Sequence, residues 1–367
     1  MKKSTMTAAA VLSAAALVMS ACAQAPGTGS TTPAATGGSG ATGDFKACMV
    51  SDSGGFDDKS FNETSHNGLL KAKDELGIQI QDIQSKNDSD FAPNIKQMVD
   101  AKCNIIVTVG FLLADATIAA AQQNPNIKFA IVDSPSSKDG LPNHKGLLFN
   151  TAESAFMAGY LAAGMSTTGK VGTFGGMKIP TVTIFMDGFA QGVSYYNKAK
   201  SKNVEVLGWD AAKQDGQFVS GQNPFENQAG GKETATALIA LGADVIFPVA
   251  GPAGLGGLQA AQATGGKVNA IWVDSDGCVK NQQYCPQIMT SVAKGMDVAV
   301  LQAIKDAKDG KFSNEAYVGT LKNGGTFLAP FHDFDGKVPA ELKSELDKIK
   351  ADIESGTIKI DSVSQPK

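Results

Sequence analysis

Residues 47–76 read ACMVSDSGGFDDKSFNETSHNGLLKAKDEL. Ala47 to Val50 is a short apolar run of the kind a buried strand requires, and from Ser60 to Leu76 the composition turns helical, with a polar, glycine-containing loop between the two. Strand, loop and helix make the first half of a βαβ unit, and the rhythm continues. Ile105 to Val109 precedes a helix from Ala114 to Gln123, and Phe129 to Val132 follows. A second series begins with Lys170 to Phe174, a helix from Phe185 to Lys198, and Glu205 to Gly208. It goes on through a helix from Gly231 to Leu241, Val245 to Val249, a helix from Leu255 to Ala263, and Ala270 to Val273. The pattern predicts an α/β protein of two doubly wound parallel-sheet lobes. A chain of 367 residues with 43% hydrophobic and 19% charged positions is long enough for both. Lys337 to Ile358 reads as an amphipathic surface helix.

Parallel sheets of this kind send binding groups out of the carboxyl ends of their strands. Asp52 and Ser53, Gly110 and Phe111, Asp133, Gly175 and Gly176, Gly251, and Asp274 with Asp276 stand there. Carboxylates, glycines and aromatics suit a neutral, hydroxyl-rich ring compound better than an ion. The charge inventory agrees: all 32 basic residues are lysine and none is arginine, the side chain best shaped to grip a carboxylate or phosphate in two-pronged fashion. A formal net charge of −4 argues against a nucleic-acid partner.

Lys2 and Lys3 precede the run Ala8 to Met19, interrupted only by Ser13, which has the length of an export-signal core. Met19-Ser20-Ala21-Cys22 then resembles the lipobox of bacterial lipoproteins, making residues 1–21 a signal peptide and Cys22 a lipidated first residue. Residues 22–43 form an uncharged tether of small residues, and the resemblance implies anchoring to the outer face of the cell membrane. Cys48, Cys103, Cys278 and Cys285 remain, with three connectivities open. The expected pairs are Cys48 with Cys103, each opening an apolar strand, and Cys278 with Cys285, which closes a short loop.

Catalytic constellations are missing from the sequence. His66, His144 and His332 are scattered, and no GxSxG elbow or GxxxxGK[ST] loop occurs. In the Gly251 to Gly257 run the third glycine of a dinucleotide loop falls on Gln259, so a tight turn is the simpler reading. Asp57 and Asp58, just ahead of a helix, read as capping groups. Neither a metal nor a cofactor is expected.

The segment Asp52-Ser53-Gly54-Gly55-Phe56-Asp57-Asp58-Lys59-Ser60-Phe61-Asn62 resembles the signature of the basic membrane protein family, PnrA-like lipoproteins that serve ABC transporters as purine-nucleoside receptors. Glu153 to Tyr160, Gly188 to Gly192, Gly242 to Ile246, Trp272 to Asp276 and Thr290 to Lys294 extend the likeness along nearly the whole mature chain. The resemblance implies a type I periplasmic-binding fold with a nucleoside closed between the lobes, its base sandwiched by two rings, for delivery to an ABC permease. Phe61 matches one stacking ring, with Asp52 and Asn62 as polar contacts beside it. Phe225 matches the second ring, Phe218 and Phe189 being the alternatives. Gly251 matches a backbone contact, Asp274 a ribose-hydroxyl acceptor with Asp276 competing, and Lys294 a donor near the sugar. Asp133 reads as a cap or a base-edge contact. The expected lobes are 44–151 with 275–325, and 152–274 with 326–367, hinged near Ala152, Ser275 and Thr326. A pentose receptor is the rival reading among binding proteins, and a nucleoside-processing enzyme the rival from another class.

Overall fold

The computed structural model describes residues 45–366; the leader, Cys22 and the tether lie outside them. The first lobe starts with β1 (Lys46–Ser51), α1 (Phe61–Leu76), β2 (Gln79–Gln84), α2 (Phe91–Asp100), β3 (Ile105–Val109), α3 (Ala114–Gln123), β4 (Lys128–Val132) and β5 (His144–Phe149). The chain then crosses over. The second lobe contains α4 (Ala152–Met165), β6 (Lys170–Gly175), α5 (Pro180–Lys200), β7 (Glu205–Leu207), a small hairpin of β8 (Trp209–Asp210) and β9 (Asp215–Gly216), and α6 (Gln228–Ala240). It continues with β10 (Val245–Val249), α7 (Gly254–Ala263), β11 (Asn269–Asp274), α8 (Gly277–Lys280) and β12 (Ile288–Lys294). A return crossing gives α9 (Met296–Lys308) and β13 (Tyr317–Gly319), and a last one gives β14 (Thr326–Leu328) and α10 (Ala340–Glu354).

The first sheet runs β13-β5-β4-β3-β1-β2, all parallel. The second runs β14-β12-β11-β10-β6-β7, parallel except for β14. Pleat alternation builds the cores. Ala47 and Met49 of β1 face α1 and α9, whereas Cys48 and Val50 face α2 and α3. In the second lobe α4, α5 and α10 cover one face and α6 with α7 the other. The glycines of the Glu153–Tyr160 and Gly188–Gly192 stretches have a packing reason. A Cβ at Gly159, Gly188 or Gly192 would collide with backbone of the opposing helix, so α4 and α5 cross at a distance only glycine permits.

The expected lobe boundaries need one correction. All seven residues of β12 are buried, and β12 lies between β11 and β14 of the second sheet. Residues 275–294 therefore belong with the second lobe, and the crossing comes at Gly295 rather than near Ser275. The second helix of the second lobe also starts earlier than expected, at Pro180, a residue whose missing N–H costs nothing at a first turn. Leu342, Leu346, Ile349 and Ile353 are the buried stripe of α10. Both expected disulfides are present: Cys48–Cys103 ties β1 to the turn between α2 and β3, with 6.0 Å between Cα atoms, and Cys278–Cys285 closes the turn after α8.

Candidate functional site

The carboxyl ends of the strands in both sheets open onto one cleft, which encloses about 610 Å³ including the space at its mouth. All seven residues assigned from the sequence line it: Asp52, Phe61 and Asn62 from the first lobe, and Phe225, Gly251, Asp274 and Lys294 from the second.

On the first-lobe side the geometry is set by the loop after β1. Asp58 accepts hydrogen bonds from the backbone N–H groups of Ser60 and Asn62, both at 2.9 Å, and of Glu63 at 3.0 Å. It caps α1, as expected, and so fixes Phe61 and Asn62 on the first turn. Burial pushes the Asp58 carboxyl up to about 6, despite those three donors pulling the other way. The Asn62 amide donates to Asp52 Oδ1 at 2.9 Å and to the Ser53 carbonyl at 3.2 Å. Its own Oδ1 is buried without a hydrogen-bond partner. Burial also raises Asp52 well above the usual carboxylate range, only partly offset by the Asn62 hydrogen bond. Gly110 must be glycine here: its φ is +116°, and a side chain would run into the Asp52 carboxyl group.

On the opposite side, Phe225 leans over Gly176 and lines the cleft, its carbonyl accepting from the Ala253 N–H at 2.7 Å. The alternative rings point elsewhere. Phe189 is fully buried against Phe247, and Phe218 packs edge-on to Trp209.

At the floor Lys294, the last residue of β12, reaches Asp133 Oδ2 at 2.5 Å and Asp274 Oδ1 at 3.4 Å. Burial alone would discharge this amine, but the two carboxylates outweigh it and hold its pKa above the usual lysine value. For Asp133 burial is the larger influence, and it stays raised even against the Lys294 charge. The ammonium also lies 5.0 Å from the ring centre of Phe61 and 5.1 Å from that of Phe185, within cation–π range.

Asp133, expected as a cap or a base-edge contact, thus stands at the site's centre as the partner of Lys294. Phe185 was read merely as the start of a helix, and nothing in its spacing distinguishes it from a core residue. Asp276, the rival to Asp274, is turned away: it caps α8 and pairs with His332 at 2.7 Å. Cys278 lies near both, but its sulfur is spent in the disulfide, so the trio offers no thiolate to a metal.

Several hydrogen bonds and an ion pair cross the cleft at its rim. Ser60 Oγ donates to Asp274 Oδ2 at 3.1 Å, Ser275 Oγ to the Lys59 carbonyl at 2.9 Å, and Lys280 pairs with Glu63 at 2.7 Å. Among the cleft-lining residues four carboxyl groups, Asp52, Asp58, Asp133 and Asp274, stand against the single amine of Lys294. A phosphate or carboxylate entering such a place finds no cation that is not already paired.

Two doubly wound lobes, three crossings and a polar cleft between strand ends define the type I periplasmic-binding fold. A crystal structure of an ABC transporter system solute-binding protein from Aeropyrum pernix superposes with a TM-score of 0.76 at 25% identity, covering 86% of this chain and 92% of that one. Residues 45–362 match the ABC transporter substrate-binding protein PnrA-like family, and the chain belongs to it. The ABC transporter nucleoside-binding protein BmpA of Lactococcus lactis is 30% identical over 381 aligned residues, covering 99% of this chain and 100% of that protein. An uncharacterized lipoprotein of Pyrococcus horikoshii is 32% identical over 314 residues, 83% of this chain and 73% of its own length. The family is one of transporter substrate-binding proteins, generally without enzymatic activity. Among the described residues no helix is long and apolar enough to cross a membrane.

Proposed function

We propose that this protein closes its cleft around a purine nucleoside and presents it to an ABC permease. One observation carries the reading: phenyl rings from opposite lobes, Phe61 and Phe225, line a single cleft whose remaining wall is rich in carboxyl groups and lacks a free cation. A planar base offers two faces to such rings, each stacking contact contributing about 1–3 kcal/mol. Asp274 accepts a ribose hydroxyl proton, Lys294 donates near the sugar, the backbone at Gly251 supplies a further contact, and Asp52 and Asn62 meet the base edge. The unpartnered Asn62 Oδ1 calls for a donor from the ligand, because a buried acceptor left unpaired costs about 1–3 kcal/mol. The nucleoside-binding relative supports the same reading.

Calorimetric titration with guanosine, adenosine and ribose tests it. Binding of a nucleoside, with ribose inert, is the expected result; ribose binding alone installs the pentose receptor instead. Free base released on long incubation with a nucleoside would replace both with an enzyme. Anchoring through Cys22 predicts fatty-acid labelling that Cys22→Ser abolishes.

A further inference from the structure

A second cavity adjoins the cleft behind Lys294. Phe111, Asp133, Thr181 and Lys294 each line it on their far side, and it encloses about 940 Å³ including its opening. Its further walls are mainly apolar: Leu148 and Phe149 at the end of β5, and Ile184 on α5. The outer wall is the chain's last stretch, Val363 to Pro366. That strap is tied to the second lobe, Ser362 donating to Asp187 at 2.5 Å and Thr183 sharing a hydrogen bond with Ser364 at 2.8 Å. The fully buried Thr151 contributes a hydroxyl without a hydrogen-bond partner. A mainly apolar cavity, partly open to solvent, therefore adjoins the cleft beyond the residues that face a guest's sugar.

We infer that the second cavity is a subsite for an apolar substituent on the sugar end of the ligand, so that the receptor accepts 5′-alkylthio nucleosides as well as plain ones. This rests on the nucleoside reading above. The chemistry of the walls selects the substituent: four shared or neighbouring walls are aromatic or aliphatic, and the amine at the junction is already paired with two carboxylates. Exposed Lys138 at the mouth is the one group that could favour an anion instead, which makes a 5′-phosphate the informative competitor.

The test is calorimetry on the full chain with adenosine, 5′-deoxy-5′-methylthioadenosine, its propyl and butyl homologues, and adenosine 5′-monophosphate. Affinity should rise by roughly three- to fivefold per methylene along the thioether series until the cavity is full, and the monophosphate should bind more weakly than adenosine. Ile184→Phe and Ser364→Trp, which fill the cavity from α5 and from the strap, should remove the gain for the butyl compound while leaving adenosine affinity unchanged. Retained adenosine binding certifies that either variant is folded. Affinity that falls with chain length, filling variants that weaken adenosine and thioether alike, or a monophosphate tighter than adenosine would each overturn the subsite while the nucleoside reading stands. Failure of every nucleoside to bind would remove that reading and the subsite together.

Discussion

The two lobes repeat one succession of strands and helices, and β4 of the first and β11 of the second deliver an aspartate to the same place. Asp133 and Asp274 even share a left-handed backbone, with φ of +64° and +67°, a conformation that costs on the order of 1–3 kcal/mol for a residue with a side chain. Yet they do different work. Asp133 holds Lys294 at 2.5 Å, whereas Asp274 stands 3.4 Å from it and accepts the Ser60 hydroxyl across the cleft. The helix starts diverge too: α1 is capped by Asp58 at the end of a long loop, while α5 begins on Pro180 without a side-chain cap. A shared framework fixes where binding groups stand, and local loops decide what each one does.

The largest perturbation of this asymmetry is Lys294→Met. It leaves Asp133 and Asp274 buried around no cation, and breaking a buried pair in this way costs about 3–5 kcal/mol. Chemical denaturation should show the loss. In the same assay Asp133→Asn should destabilise more than Asp274→Asn, and the order should reverse in nucleoside affinity; equal effects would erase the distinction between the two carboxylates.

Asp58 comes next. Its folded pKa of about 6 exceeds the ordinary carboxylate value, so the folded state holds its proton more tightly than the unfolded chain. The resulting stabilisation, up to about 3 kcal/mol, is complete below the unfolded pKa and lost as pH rises through the folded one. Unfolding free energy measured between pH 4 and 7 should therefore fall less steeply with pH in Asp58→Asn than in the parent protein. No counterpart is expected at α5.

Removing one ring at a time compares the lobes directly. Phe61→Ala and Phe225→Ala should each weaken nucleoside binding by about 1–3 kcal/mol, roughly tenfold or more. A variant that leaves affinity untouched would take its ring out of the sandwich. The smallest effect belongs to the rim, where Glu63 and Lys280 are each about a quarter exposed. Glu63→Gln should change stability by no more than about 1 kcal/mol, with a difference that vanishes in high salt.

Much of this architecture is legible in the sequence because buried parallel strands are unbroken apolar runs, as β3 and β10 are, and binding groups follow them directly. Edge elements are harder to see. In β2, Gln79–Gln84, two isoleucines stand among glutamine and aspartate and pack on opposite faces of the sheet, so this outer strand shows neither an apolar run nor a period of two, and its neighbour α2 gives no clearer signal. The sheet to which β12 belongs was misjudged for another reason: its residues 290–294 stand out as a motif, but a sequence does not announce on which side of a crossing a strand pairs. Phe185 escaped because ligand-facing and core-facing phenylalanines share one hydropathy. The Phe225 loop, by contrast, is polar enough for its aromatic to stand out.

The pairing of β13 with β5 bears on how the protein is made. β5 ends at Phe149, and the strand that completes its edge, β13, starts at Tyr317, after every strand of the second lobe except β14. A chain emerging from the ribosome amino end first must keep that edge of its first sheet open until almost everything else has been synthesised. The first lobe therefore stays incomplete until its return segment, α9 and β13, arrives, and a fragment ending before residue 317 leaves the β5 edge open to pairing with another strand.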